Sequence, residues 1–269
     1  MTGPSLSATA GVAIQGSSIA PDGYFSPGAP YTLSVSGSSV MCYASPLSAV
    51  LIQVAFSGAA PLTVTSDATA SAEGAPQSLL VAYGTNLSST VSLRDSAGVA
   101  YTPAALATSS SEVVFEVPAA ASLGAALVTI GSQTAAALVS AVAPSLFTVD
   151  AAGLAAAYVT RVAPGNVQTL EAIFAVQGGS YVPVPIDLSP TDQVYLILFG
   201  TGIRGAGGNV TVTVGGVSVP VTYAGPQEQY LGLDQINVLL PTKLAGTGTV
   251  NIVLTAATKV SNAIYVVIQ

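Results

Sequence analysis

Residues Leu198–Gly225 read LFGTGIRGAGGNVTVTVGGVSVPVTYAG, a glycine-rich loop behind an apolar run. Read as a phosphate cradle the loop points to an enzyme, and read as a turn it points to a sheet. A phosphate loop needs its glycines to open a helix, because the amides and dipole of a helix N-terminus hold the anion. A strand follows instead. Val210, Val212 and Val214 alternate with Thr211 and Thr213, Gly215-Gly216 supplies a two-residue turn, and Val217-Ser218-Val219 resumes the alternation. The loop is punctuation between strands. Short alternating runs of Val, Thr, Ser, Ala and Gly, broken by Pro and Gly at intervals of roughly ten residues, extend over most of the chain, which is the spacing of an all-β sandwich.

Composition narrows the function further. The chain has 269 residues, 51% apolar but only 6% charged, against about 25% charged in an ordinary domain. Its surface is therefore covered by uncharged polar groups, which cost little to desolvate when surfaces pack together. That predicts a chain that associates, as a homo-oligomer or polymer. The net charge of −7 leaves no electrostatic footprint for nucleic acid. Histidine and tryptophan are absent and Cys42 is the only cysteine, which removes Ser/His/Asp and Cys/His nucleophile arrangements, histidine metal sites and cysteine clusters together. Cys42 reads as a buried, inert thiol, with an intermolecular disulfide or a reactive thiol as the alternative. No cofactor is expected. The most apolar stretch, Ala126 to Pro144, is interrupted by Gly131, Ser132, Gln133 and Thr134, so no spanning helix is expected. The first residues, MTGPSLSATAGVAIQG, lack a basic segment followed by an apolar run. The expectation is a signal-free, mature portion of an extracellular or cell-surface protein.

Laid side by side, two parts of the chain match in order. SLLVAYGTNL (Ser78–Leu87) corresponds to VYLILFGTGI (Val194–Ile203), SEVVFEVP ending at Pro118 to DQINVLLP ending at Pro241, and each is followed by a small-residue turn and a strand pair. The expected organisation is a strand-rich N-terminal segment over 1–70, sandwich one over 71–145, a connector with a β-hairpin around Gln177-Gly178-Gly179 over 146–190, and sandwich two over 191–269. The N-terminal segment reads as a partial sandwich or as a donor strand. Its run TAGVAIQG, before a hinge at Pro21-Asp22-Gly23, is the candidate donor to an open edge of another subunit.

The series AYGTNL, VAPSLFTVDAAGLAAAYV, VYLILFGTGIRG and VTVGGVSVPVTYAGPQEQYLGLDQINVLLP, with a final strand, resembles the Solibacter-type uncharacterised C-terminal domain family over roughly Ala75 to Gln269. The resemblance implies tandem Ig-like β-sandwich domains in exported bacterial proteins and carries no active site. The scarcity of charge and the unusual N-terminal third depart from it.

Each candidate site has a plainer reading beside it. Asp187, Asp192 and Asp234 are weak calcium candidates, since calcium needs six to eight oxygens close in space and Asp also satisfies turn amides by itself. Glu112 and Glu116 fall on one face of a strand, as paired glycosidase carboxylates or as a solvated face. Arg204 could hold a carboxylate of a neighbouring chain or of its own domain. Asn86-Leu-Ser and Asn209-Val-Thr match a sequon without a context that gives it weight. Tyr195, Phe199 and Tyr265 read as core or inter-sheet contacts, and the loop YAGPQEQY (Tyr223–Tyr230) as a place for exposed tyrosines. These features favour a non-enzymatic structural protein that assembles into a surface or filament. The alternative is a monomeric adhesin, or a module on the same sandwich that binds a surface glycan or a protein.

Overall fold

Alternation of apolar and polar residues becomes alternation of buried and exposed ones, because successive strand side chains point to opposite faces. In Asp234–Leu240 the apolar Ile236, Val238 and Leu240 are buried while Gln235, Asn237 and Leu239 are partly exposed, and Ile264–Ile268 repeats the pattern. The computed structural model describes residues 61–269 and the backbone of Ala13–Ile14 and Ser17–Ser18. The chain divides into two units, Met1–Ser57 and Gly58–Gln269. In the first, Ala13–Ile14 pairs antiparallel with Ser17–Ser18. Cys42, the hinge at Pro21–Gly23 and the rest of the donor run lie outside the described residues.

The second unit holds two Ig-like sandwiches. In sandwich one, β1 (Thr63–Ser66), β2 (Leu79–Tyr83), β5 (Ala105–Thr108) and β6 (Glu112–Glu116) form a sheet in the order β1-β2-β6-β5. Facing it, β3 (Val91–Arg94), β4 (Ala100–Tyr101), β7 (Gly124–Ile130) and β8 (Gln133–Val139) run β8-β7-β3-β4, with Glu73–Gly74 parallel against β8. Leu80, Leu93, Phe115 and Val128 fill the space between the sheets with no exposure.

Sandwich two repeats these pairings. Its strands are β9 (Ser145–Leu146), β10 (Ala157–Ala163), β11 (Val167–Ala172), β14 (Gln193–Thr201), β15 (Val210–Val214), β16 (Val217–Val219), β17 (Val221–Pro226), β18 (Asp234–Leu240), β19 (Gly248–Ala256) and β20 (Ile264–Ile268). The central strands run β14-β18-β17 in one sheet and β20-β19-β15-β16 in the other, matching β2-β6-β5 and β8-β7-β3-β4. Between them lie Leu196, Leu198, Ile236, Ile252 and Val266, fully buried, each contributing about 1.5–3 kcal/mol. Residues 146–190 do more than connect. β9 and β10 both pair with β14, and among the described residues β11 forms the edge beyond β10 and only β12 (Phe174–Gln177) and β13 (Ser180–Pro183) stand apart, as the expected hairpin.

The opening loop now has its explanation. β14 ends at Thr201, a short 3-10 turn spans Arg204–Ala206, and β15 begins at Val210. The chain leaving sandwich one passes directly over this turn: a Cβ on Gly202 would collide with the carbonyl of Ala143. The glycine makes room for backbone, not for phosphate.

The outer face of the β1-β2-β6-β5 sheet is also apolar. Leu79, Val81 and Val114 form a small cluster there, packed by Phe147 from sandwich two. Polar contacts cross the same joint: the Lys259 ammonium bonds Glu73, and the Thr201 hydroxyl accepts from the Leu79 amide at 2.8 Å and donates to the Gly232 carbonyl at 2.8 Å.

Candidate functional site

The structure places Arg204 and Asp234 against each other. Arg204 Nε lies 2.6 Å from Asp234 Oδ1, and Asp234 Oδ2 accepts from the amides of Ile203 at 2.7 Å and Arg204 at 3.2 Å. Burial pushes the Asp234 carboxyl above the ordinary aspartate value, opposed by the Ile203 amide and the Arg204 guanidinium. This pair, its carboxylate fully enclosed and its guanidinium mostly so, pins the 3-10 turn to the start of β18.

Asp192 lies near the other end of β14, where Arg161 bonds it at 3.3 Å, bonds Glu171 at 2.5 Å, and donates to the backbone carbonyl of Asp187 at 2.8 Å. Because Gly200 pairs with Asp234, Asp192 and Asp234 are separated by about 25 Å of strand. The three aspartates share no site, an arginine occupies the centre of the Asp187 and Asp192 end, and no metal-holding cluster exists among the described residues.

Glu112 and Glu116 do share the outer face of β6, but four residues of strand hold them about 13 Å apart. Glycosidase pairs stand about 5–9.5 Å apart, and Val114 between these two is buried against the joint. They cannot flank one glycosidic bond. Asn86 and Asn209 are exposed, and Tyr195, Phe199 and Tyr265 are partly buried, with the Phe199 ring 5.9 Å from that of Tyr158.

Two clefts lie along the joint. One, of about 300 Å³, is lined by Glu73, Ser145, Lys259 and Asn262 among others. Its polar groups already have partners: Glu73 holds Lys259 and Ser140, and Asn262 bonds the amide and carbonyl of Leu146. The Glu73–Lys259 bond ties the two sandwiches and the others brace each sandwich internally, which leaves little for a ligand.

The other cleft, of about 230 Å³, is lined by Tyr101, Thr102, Leu106 and Glu116 of sandwich one and by Leu231 of sandwich two. Here a polar atom is without a partner among the described residues: Glu116 Oε1 is shielded from solvent and accepts no hydrogen bond from them. A shielded acceptor left unpaired costs about 1–3 kcal/mol, so a ligand donor in the cleft that draws the Glu116 carboxylate round to face it relieves that cost.

Leu231 reaches this cleft because its loop is built rigidly. Gln227 Oε1 accepts from the amides of Gln229 at 3.1 Å and Tyr230 at 3.2 Å, and the Gln227 amide donates to the Leu233 carbonyl at 2.9 Å. Gly232, with φ of 73°, sits so close over Leu79 that a Cβ would strike that side chain. Leu79 in turn pairs across the sheet with Glu116. At the tip, Tyr230 and Leu231 are 66% and 62% exposed. Tyr223 is the lesser of the two tyrosines here, since its hydroxyl is bound to the carbonyl of Pro226. Sequence reasoning found the loop, but nothing in it signalled that Glu116 or Tyr101 would stand beside it.

Neither a protein-family model nor a curated protein matches the chain. Among solved structures it is similar to a surface glycan-binding protein, SGBP-B, from the mixed-linkage glucan utilization locus of Bacteroides ovatus, in complex with a mixed-linkage heptasaccharide (12% identity, 74% of this chain and 43% of that one, TM-score 0.34). It is similar also to the surface glycan-binding protein PbSGBP-B of Prevotella bryantii (12% identity, 78% and 42%, TM-score 0.23), and to a structure with a xylogluco-oligosaccharide (14% identity, 72% and 58%, TM-score 0.22). The chain spans about half the length of these chains, and at such scores none of them carries an argument about its function.

Proposed function

We propose that this chain is a non-enzymatic glycan-binding module of the bacterial cell surface, which takes its ligand at the Tyr230–Leu231 loop and the cleft beneath it. The observation that carries the reading is this exposed pair on a pinned loop. Two large side chains are kept in solvent by a loop whose backbone bonds leave it little freedom, so stacking a sugar face on them recovers apolar burial at a small entropic cost. An enzyme is the weaker reading because the chain has no histidine and its aligned glutamates stand too far apart. The exported setting follows from the resemblance to the Solibacter-type domain.

Glycan-array screening followed by calorimetry tests the proposal. Tyr230→Ala is expected to weaken oligosaccharide binding about tenfold, the equivalent of one lost stacking contact, with the melting temperature unchanged because Tyr230 is exposed. Absence of oligosaccharide binding by the wild-type chain overturns the reading, as does binding that ignores the substitution.

One observation favours self-assembly as a second reading. Among the described residues β11 is an edge strand paired only with β10, and it presents Val167 and Leu170 at 59% and 75% exposure. Unpaired edges of this kind accept strands from other chains. If subunits join there, light scattering and negative-stain microscopy show oligomers or fibres that Leu170→Lys removes. A wild-type monomer at all concentrations excludes it.

A further inference from the structure

The cleft also carries information about which glycans it takes. Resting on the glycan-binding reading, we infer that its ligand is a neutral oligosaccharide whose hydroxyl groups donate to Glu116, and that Glu116 is the residue that rejects acidic glycans. Glu116 lines the cleft, and its Oε1, which water does not reach, has no hydrogen-bond partner among the described residues, so turning the carboxylate toward a ligand in the cleft breaks no existing bond at that oxygen. An ionised carboxylate can only accept, and its two oxygens match two neighbouring hydroxyls of a sugar ring. Of the other two polar side chains that line the cleft, Thr102 is exposed and Tyr101 is already engaged: its hydroxyl donates to the Ala120 carbonyl at 2.9 Å and lies 3.3 Å from Asp95 Oδ2.

No lysine or arginine lines the cleft. A uronate or sulfate group placed beside Glu116 would meet a like charge with nothing to offset it, and like charges brought together at a desolvated contact are strongly unfavourable. The net charge of −7 adds repulsion at longer range. An ammonium satisfies the charge but not the geometry. It brings three donors into a cleft whose remaining walls include Pro103, Leu106, Pro118 and Leu231, so some of its N–H groups face apolar surface. Hydroxyls lose less there, and their C–H faces suit the same walls.

Calorimetry on the full chain with three probes tests the inference: neutral gluco-, manno- and galacto-oligosaccharides, oligogalacturonate, and chitosan oligomers. The expected result is binding of a neutral series, with oligogalacturonate at least about tenfold weaker, because its carboxylates meet Glu116 with no cation to offset the like charge. In Glu116→Gln, which keeps the side chain's shape, neutral affinity should fall about tenfold and the discrimination against uronate should largely disappear. Uronate bound as tightly as the neutral series by the wild type overturns the inference, and so does a preference for chitosan. Those outcomes need no variant and leave the glycan-binding reading standing. Absence of binding to all three probes overturns both, and an unchanged Glu116→Gln profile removes Glu116 from the recognition.

Discussion

Asp234→Ala is expected to lower the stability of the Gly58–Gln269 unit by about 3–5 kcal/mol, the cost of stripping one partner from a buried ion pair. The Asp234 side chain is 0% exposed and that of Arg204 14%, so the remaining guanidinium has little water to turn to. The amides of Ile203 and Arg204 lose their acceptor in the same step. For a unit of this size each kcal/mol is worth about 2–4 °C, so a melting temperature lower by about 10 °C is the expected reading by calorimetry. The double variant Asp234→Ala with Arg204→Met should recover part of the loss, because the damage comes from the charge left behind. A single variant that melts within about 2 °C of wild type would show that the pair does not hold the turn.

That pair also shows what a sequence can and cannot disclose. Asp234 read as a calcium candidate and Arg204 as a holder of some carboxylate, and both readings were chemically sound. Their mutual contact depends on β14 and β18 lying side by side, which no local pattern around either residue states. The hairpin of β15 and β16 was legible, since the turn signal and both alternations sit within ten residues of Val210–Val219. Ala157–Ala163 was not: its alternation AYVTRVA follows directly on the small-residue run AAGLAA, and only pairing with β14 makes it a strand of the sheet. The candidate site divides the same way. Tyr230 stood out as an aromatic in a turn-rich loop, whereas Glu116 and Leu231 come from different sandwiches and meet only through the joint between them.

Thr201→Val tests that joint and its coupling to the site. The substitution preserves shape at a residue that is 1% exposed, so packing should survive while the hydroxyl is lost. Two groups then lack partners, the Leu79 amide and the Gly232 carbonyl, and at about 1–3 kcal/mol apiece the expected destabilisation is about 2–4 kcal/mol. One of these groups belongs to β2 of sandwich one and the other to the Tyr230–Leu231 loop of sandwich two, so the loss should also loosen the loop over Leu79. Hydrogen exchange is the direct measurement: amides 227–233 should lose protection more than those of β19, which lies in the opposite sheet. Thr201 lines neither cleft. A fall in oligosaccharide affinity that accompanies this loss of protection would therefore come through the position of the loop. Unchanged protection of the loop, with or without a lower melting temperature, would mean that Gly232 is held by its contact with Leu79 alone and that the hydroxyl does not position the loop.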